Sequence, residues 1–244
     1  EMFWDFGIEL GLHENSEWKN ESCHVNCDCG RFMEIGNNVF MEYQKTDKGF
    51  EKLKQQNVDF GGGLERVAAA LNNDPDVFNI DVFDTPKKTI EGLCGVSYKD
   101  ADEKGVYGYR VVLDHIRSTT FLIGDGVLPG NKDQMYFVRR LVRRAVRFAR
   151  NLGVTSNFTA TVAGSFIDTY GEEYKNLIEK KEMIMFELDK EESKFRKTLE
   201  NGIKQFDKVA KGSISGSDAF DLLQTYGFPV ELTEELALEK GITI

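Results

Sequence analysis

The stretch VDFGGGLERV, residues 58–67, joins the end of a strand to the start of a helix through three glycines. Valine and phenylalanine favour a strand over 58–60, and the leucine- and alanine-rich sequence from Leu64 onward favours a helix. Because the glycines carry no side chains, a flat ligand could lie against the backbone. Asp59 could bind an ammonium group, and Arg66 could stack on a purine or bind phosphate. The alternative is a tight packing turn between a strand and a helix, since a lone glycine-rich turn is weak evidence for a ligand.

The sequence before this stretch indicates strands, and the sequence after it indicates helices. Aromatic and β-branched residues separated by polar turns predict short strands over 31–36, 39–43 and 58–60. Apolar periodicity and helix-forming composition predict helices over 64–71, 107–124, 134–152, 156–170, 172–211, 217–226 and 233–240. The fold class is therefore α+β, with an antiparallel β-rich domain over 1–88 and an all-helical domain over 89–244.

Two details of the helical half are also predicted. The charged helix over 172–211 is expected to be a strut that is exposed on much of its surface. Ser217 and Thr233 are expected to be the N-caps of the last two helices.

Composition excludes a membrane-embedded protein. Of the 244 residues, 41% are hydrophobic and 30% are charged, as in soluble globular proteins. No window approaches the roughly 18 consecutive apolar residues of a membrane-spanning helix. The chain opens with EMFWD, which resembles the middle of a domain, and it shows no leader peptide. We therefore expect a piece of a longer, cytoplasmic protein.

The net charge of −10 disfavours nucleic acid as a partner, but the basic residues are unevenly placed. Six arginines lie on one face of the helix predicted over 134–152, opposite its apolar face. They are Arg139, Arg140, Arg143, Arg144, Arg147 and Arg150. Because arginine forms forked hydrogen bonds to phosphate, this stripe predicts contact with a nucleic-acid backbone. The alternative is a solvated helix surface that faces acidic neighbours within the protein.

The cysteine-rich segment CHVNCDC, residues 23–29, places four soft metal ligands close together. Cys23, His24, Cys27 and Cys29 could hold a structural Zn²⁺ ion; because their spacing is tighter than in common zinc fingers, three of them could instead bind together with a ligand from elsewhere. The alternative is a surface loop with reduced thiols. A second pair of titratable residues, Asp114 and His115, is interpreted as a buried helix-packing pair rather than as catalytic residues.

The sequence blocks resemble one family in order and spacing. GGGLERVAAAL (61–71) resembles motif 3 of the class II aminoacyl-tRNA synthetases, in the form found in alanyl-tRNA synthetases, and EIGNNVFM (34–41) resembles the preceding strand. The later blocks are DHIR (114–117), DGVLPGN (125–131), YFVRRLVRRA (136–145) and TYGFP (225–229). The resemblance covers nearly the whole chain. It implies the carboxyl-terminal part of the catalytic core followed by the helical tRNA-recognition domain.

The resemblance implies an ATP-dependent ligase that activates alanine and transfers it to tRNA(Ala), without a side-chain nucleophile. It assigns alanine binding to Asn37, Val39, Asp59 and Gly61, and ATP binding to Glu34, Gly61, Gly63 and Arg66. Glu34 would aid the binding of ATP or Mg²⁺. The family usually has Trp where this chain has Gly36, so the pocket floor is either wider or filled from elsewhere. Motifs 1 and 2 precede motif 3 in this class and are not visible, so the chain is expected to be inactive alone.

For the helical half, the resemblance implies binding to the acceptor stem of tRNA(Ala). Asn131 would read the G·U pair of the stem, and Gln224 stands where the family has Asp. The adjoining backbone would be held by Arg139, Arg140, Arg143 and Arg144. Two other functions remain open: a module that holds tRNA without activating an amino acid, and an ATP-dependent ligase for a different carrier. The oligomeric state is also left open.

Overall fold

The computed structural model describes residues 1–210 and 212–243 and divides into two compact units after Asp81. The first unit is a small antiparallel sheet with one helix, and the second is helical. The predicted α+β class is therefore confirmed. Among the described residues, no helix combines the length and apolar character needed to cross a bilayer.

The sheet of the first unit has three strands in the order β1-β2-β3: β1 is Met2–Asp5, β2 is Phe32–Thr46 and β3 is Gly49–Gly62. The helix α1, Leu64–Leu71, follows directly and buries Ala69 and Ala70. The prediction missed β1. It also broke the long hairpin of β2 and β3 into short pieces, because the polar residues on the distal half of the hairpin are mostly exposed and show no apolar alternation.

The second unit contains eight helices among the described residues. They are α2 (Asp84–Cys94), α3 (Glu103–Gly124), α4 (Asp133–Asn151), α5 (Thr159–Tyr170), α6 (Lys175–Glu179), α7 (Lys181–Val209), α8 (Gly216–Tyr226) and α9 (Val230–Glu239). The predicted domain boundary at residue 88 would cut α2, which packs on α5, so the compact units divide earlier. The core of this unit lies between α3, α4 and α7, where Val112, Val142 and Phe195 are fully buried.

The helix predicted over 172–211 is two helices that meet at Lys180, and its predicted last residue, 211, lies outside the described residues. Much of the surface of α7 is exposed or half-exposed, but the helix also buries one continuous face. Its buried residues recur every three or four positions: Ile184, Leu188, Glu191, Glu192, Phe195, Leu199, Gly202 and Phe206. Two of these eight are glutamates. The high charge of α7 therefore reflects buried ion pairs as well as solvent contact.

The last two helices begin earlier than predicted. Ser215, not Ser217, caps α8, because its side chain and that of Asp218 form a reciprocal capping box. Thr233 is buried inside α9, whose first turn follows Pro229. Between the helices, Gly227 adopts φ 58°, a left-handed conformation that ends α8 at low steric cost. The TYGFP block thus contains the end of α8 and leads into the start of α9.

Candidate functional site

The four predicted alanine-binding residues lie on one face of the hairpin of β2 and β3. Val39 is paired with Asp59, and Asn37 is paired with Gly61. Directly opposed residues, and residues two apart along a strand, project to the same face of a sheet. The hairpin therefore brings an amide, a carboxylate, a small apolar side chain and an open backbone position together. Sequence spacing alone could not establish this register across the turn.

Gly61 is the open position on this face. A Cβ atom added there would have no described protein atom within 4 Å, and the backbone of Gly61 is not in the left-handed region. Neither packing nor conformation therefore explains this glycine. Its effect is to leave space between the side chains of Asn37 and Asp59, where a ligand can approach the backbone.

Gly36 lies on the opposite face of the hairpin and has a packing role. A Cβ atom at Gly36 would lie 2.7 Å from the ring of Phe60 and 3.0 Å from the methyl group of Met2. The ring of Phe60 also covers Gly62. The space beside Gly36 is therefore occupied by a phenylalanine of β3 and a methionine of β1.

The glycine-rich turn ties the start of α1 to β2. The Gly63 amide donates to the Ile35 carbonyl at 3.2 Å, and an Arg66 Nη1 donates to the Glu34 carbonyl at 3.1 Å. The same guanidinium lies 3.7 Å from the Glu34 carboxylate. A side chain at Gly63 would press on the Arg66 stem at 3.1 Å. The predicted ATP-binding residues thus form one half-exposed cluster beside the amino terminus of α1, an end that favours anions.

The predicted arginine stripe on α4 is largely covered within the protein: Arg150 is exposed, Arg139, Arg140 and Arg144 are half-buried, and the other two are buried. Arg143 and Arg147 are only 6% and 2% exposed, and each of the six guanidinium groups lies against a carboxylate of α7 or α9. On α7, Glu191 pairs with Arg139 at 3.3 Å and with Arg143 at 2.8 Å, and Glu200 pairs with Arg150 at 3.1 Å. The acidic neighbours that the sequence analysis kept as an alternative are therefore present.

The other carboxylates come from α9 and could have been found in the sequence. Glu231 pairs with Arg140, Glu235 with Arg144 and Arg147, and Glu239 with Arg147. The three glutamates recur every four residues, which places them along one helix face. That spacing complements the arginine spacing on α4. A search for complementary charge periodicity between helices, rather than within one helix, would have predicted the pairing.

The residues proposed to read the tRNA are linked by this ion-pair network. Asn131 is exposed and its side-chain oxygen accepts a hydrogen bond from Arg139. Arg139 and Arg143 share Glu191, and Arg143 also donates to the Gly227 carbonyl at the end of α8. Gln224 is exposed on the last turn of α8. The network therefore connects the two elements that carry Asn131 and Gln224, and its arginines act as internal supports.

Asp114 and His115 join α3 to α4. His115 is buried, and its Nδ1 lies 2.9 Å from Asp114. Its Nε2 accepts from Arg144 at 2.9 Å, because a guanidinium can only donate. With these two contacts, Nδ1 donates to Asp114. This hydrogen bond lowers the pKa of Asp114 below its ordinary value of 3.8, against the effect of burial.

A group of metal-ligating side chains lies in the connection between β1 and β2. The ligand atoms of His13, Cys23, Cys27 and Cys29 all lie within 4.8 Å of one another. His24, which the sequence analysis chose, is exposed, and its Nδ1 accepts from the Asn26 amide at 3.2 Å within a local turn. His13, which precedes Cys23 by ten residues, lies beside the cysteines instead, because the loop folds back on itself. The chain has only three histidines, so His13 was the other available choice in this loop.

Comparisons with known proteins show which family the chain belongs to. The chain belongs to the class II aminoacyl-tRNA synthetases: the family model "tRNA synthetases class II (A)" matches residues 1–244. It is similar to proteins named alanine–tRNA ligase. The one from Thermotoga maritima is 40% identical over 247 residues, which covers the whole chain and 28% of that protein. The one from Borreliella afzelii is 43% identical over 232 residues, covering 91% of the chain and 39% of that protein. The chain thus spans well under half the length of these relatives.

Proposed function

We propose that this chain is part of an alanine–tRNA ligase, which activates alanine with ATP and transfers it to the acceptor stem of tRNA(Ala). The observation that carries the proposal is the shared face of the hairpin, with Asp59 and Asn37 on either side of the open Gly61 position. The whole-chain similarity to alanine–tRNA ligases supports the same assignment. We also propose a cytoplasmic location, because tRNA is aminoacylated there.

Alanine offers a methyl group that is too small to be recognised by packing alone, so its charged ends must be fixed. In the proposal, Asp59 binds the ammonium group, and the side-chain amide of Asn37 forms a hydrogen bond with the amino acid. One oxygen of Asp59 accepts from the Phe60 amide at 2.9 Å, which fixes the carboxylate against the strand. Val39 lies directly across from Asp59 and supplies the apolar contact for the methyl group.

ATP is proposed to lie along Gly61 and Gly63, with its phosphates near Arg66. The alanine carboxylate attacks the α-phosphate and pyrophosphate leaves, so the protein must position two anions and offset the charge that develops on phosphate. Arg66 supplies a positive charge, and its hydrogen bond to the Glu34 carbonyl directs it across the glycine turn. The Glu34 carboxylate is the proposed protein contact for a Mg²⁺ ion, which commonly uses one or two carboxylates together with substrate phosphates.

In the proposed complex with tRNA, Asn131 and Gln224 contact the acceptor stem, whose base edges are reachable in the shallow minor groove. Of the four arginines assigned to the backbone, Arg140 has the most exposed side chain and is the proposed direct contact. Arg139, Arg143 and Arg144 are proposed to hold the recognition elements in place through their carboxylate partners.

Substitution of Asp59 tests the amino-acid site. We expect Asp59→Asn to reduce alanine-dependent ATP–pyrophosphate exchange by at least about 100-fold, because a charge-assisted contact to the ammonium is worth roughly 3 kcal/mol. The exchange is measured on the complete gene product at varied alanine and ATP concentrations. Glu51→Gln removes an exposed carboxylate from the same strand and is the matched control.

The same assay decides between the alternatives. Exchange that depends on alanine and is lost in Asp59→Asn supports the ligase. Binding of tRNA(Ala) by a complete gene product that catalyses no exchange would instead indicate a tRNA-holding module. Alanine-dependent exchange, followed by transfer of the activated amino acid only to a carrier other than tRNA, would contradict the tRNA assignment.

A further inference from the structure

The connection between β1 and β2 contains a donor set that the proposed ligase reaction does not use. It runs from Phe6 to Arg31, and among these residues the structure has turns but no helix or strand. Connections of this length without secondary structure are uncommon in compact units unless something other than backbone pairing orders them. Even so, His13 is only 8% exposed. The loop is therefore folded around a few of its own side chains.

We infer that His13, Cys23, Cys27 and Cys29 form a closed, structural zinc site, with His13 Nδ1 as the fourth ligand. Zinc bonds of about 2.3 Å to sulfur and about 2.0–2.1 Å to nitrogen, arranged tetrahedrally, place two sulfurs roughly 3.8 Å apart and a sulfur and nitrogen roughly 3.5–3.6 Å apart. The Cys23 and Cys29 sulfurs are 3.9 Å apart, and the Cys27 sulfur is 3.6 Å from His13 Nδ1. Both distances match edges of such a tetrahedron.

The histidine is oriented by a second interaction, as is usual for a zinc ligand. His13 Nε2 lies 3.0 Å from the Glu21 carbonyl, which can only accept, so Nε2 carries the proton. The lone pair of Nδ1 is then directed at the cysteines. Carbonyl groups that fix the tautomer of a ligating histidine in this way are typical of metal sites. His24 has no comparable arrangement, because its Nδ1 is occupied by the turn at Asn26.

The neighbourhood also suits the charge of the site. Three thiolates and one Zn²⁺ ion leave a net charge of −1. Arg31, which interacts with the Cys23 sulfur, forms two hydrogen bonds of 2.7 Å to Asp5 at the neck of the loop. Because four protein ligands leave no open position for water or substrate, the site is structural rather than catalytic. It joins the loop to the start of β2, the strand that carries Glu34 and Asn37.

A disulfide does not explain the same geometry. The cysteines are free, and a separation of 3.9 Å between the Cys23 and Cys29 sulfurs is far longer than an S–S bond of about 2.05 Å. A disulfide would also leave Cys27 and the oriented His13 without a role. The inference is independent of the proposed ligase function, since a structural zinc site orders the loop whatever the substrate.

Metal analysis of the freshly purified chain tests the inference. We expect about one equivalent of zinc per chain, and a cobalt-substituted form with thiolate charge-transfer and tetrahedral d–d absorption bands. His13→Ala is expected to retain about tenfold less zinc against a chelator, whereas His24→Ala, the matched control, is expected to behave like the parent. His13→Cys supplies a fourth thiolate and is expected to restore zinc binding, which separates loss of a ligand from loss of folding.

Three results would overturn the site. Zinc well below one equivalent after incubation with Zn²⁺ would do so, as would a loss of zinc in His24→Ala but not in His13→Ala. A Cys23–Cys29 disulfide in protein purified under mildly reducing conditions would also contradict it. Zinc binding without alanine-dependent exchange would support the site and count against the proposed ligase only, so the two failures are distinguishable.

Discussion

At the scale of single residues, Gly36 and Gly61 are predicted to respond to alanine substitution in opposite ways. Gly61→Ala should change the free energy of unfolding by less than about 0.5 kcal/mol, because its Cβ meets no described atom. The same change should reduce alanine-dependent exchange by about tenfold, since the methyl group occupies ligand space. Gly36→Ala should destabilise the chain by about 1 kcal/mol, because the exposed ring of Phe60 must move. Urea unfolding and exchange kinetics measure both effects.

The candidate site also shows which features of single residues could be predicted from the sequence. The residue types of the site were predictable, because a carboxylate, an amide and glycines suit an amino acid and a nucleotide. Their common face was not, since it depends on the register of the hairpin. That His13 lies with the three cysteines was not predictable for a related reason: proximity in sequence does not determine which side chain a folded loop turns inward. A Gly61→Ala variant with normal exchange would contradict the role assigned to this face.

At the scale of helices, the buried ion pairs between α4 and α7 are predicted to dominate stability. Glu191→Ala leaves the guanidinium groups of Arg139 and Arg143 without their carboxylate, and should lower the free energy of unfolding by about 3–5 kcal/mol. Glu200→Ala removes an exposed pair with Arg150 from the same two helices, and should cost no more than about 1 kcal/mol. Equal losses in urea unfolding would show that burial does not distinguish these pairs.

The contact between α4 and α9 is predicted to weaken in acid. Burial alone would raise the pKa of Glu231, but hydrogen bonds from its own amide, Arg140 and Tyr136 outweigh burial and lower that pKa below its ordinary value of 4.5. A lowered pKa in the folded state means that the stabilisation is complete above pH 4.5 and is lost as the pH falls through the folded-state pKa. The stability difference between the parent and Glu231→Gln, measured by urea unfolding from pH 7 to pH 3, should therefore shrink below pH 4.5.

Glu234→Gln provides the control for that titration, since Glu234 is exposed on the same helix. This variant leaves the contact between Glu231 and Arg140 in place. The helices themselves were largely predictable, because apolar residues recur at helical spacing through α3, α4 and α5. The ion-pair partners between these helices were not predictable in this way. The charges that neutralise Arg143 and Arg147 lie 48 and 88 positions further along the chain, beyond the reach of any pattern within one helix.

At the scale of the whole molecule, the two compact units are predicted to differ in their dependence on metal. Removal of zinc with a chelator should increase amide hydrogen exchange in the loop before β2, because this loop has few backbone hydrogen bonds of its own. Exchange in α3, α4 and α7 should stay unchanged, since the group of metal-ligating side chains found among the described residues lies outside these helices. Hydrogen exchange followed by mass spectrometry measures both regions in one sample. Faster exchange throughout the helical unit would show that the metal stabilises more than the loop.

The pairing of α4 with α9 has a consequence for synthesis on the ribosome. The Glu235 partner of Arg147 is translated 88 positions after it. At about 5–20 residues per second, roughly 4–18 s pass before that carboxylate exists. Until then, burial of Arg147 is unfavourable, because removing an unpaired cation from water costs free energy. The nascent helical unit is therefore expected to hold α4 loosely until α9 emerges from the ribosome, so the folding of this unit depends on the synthesis of α9.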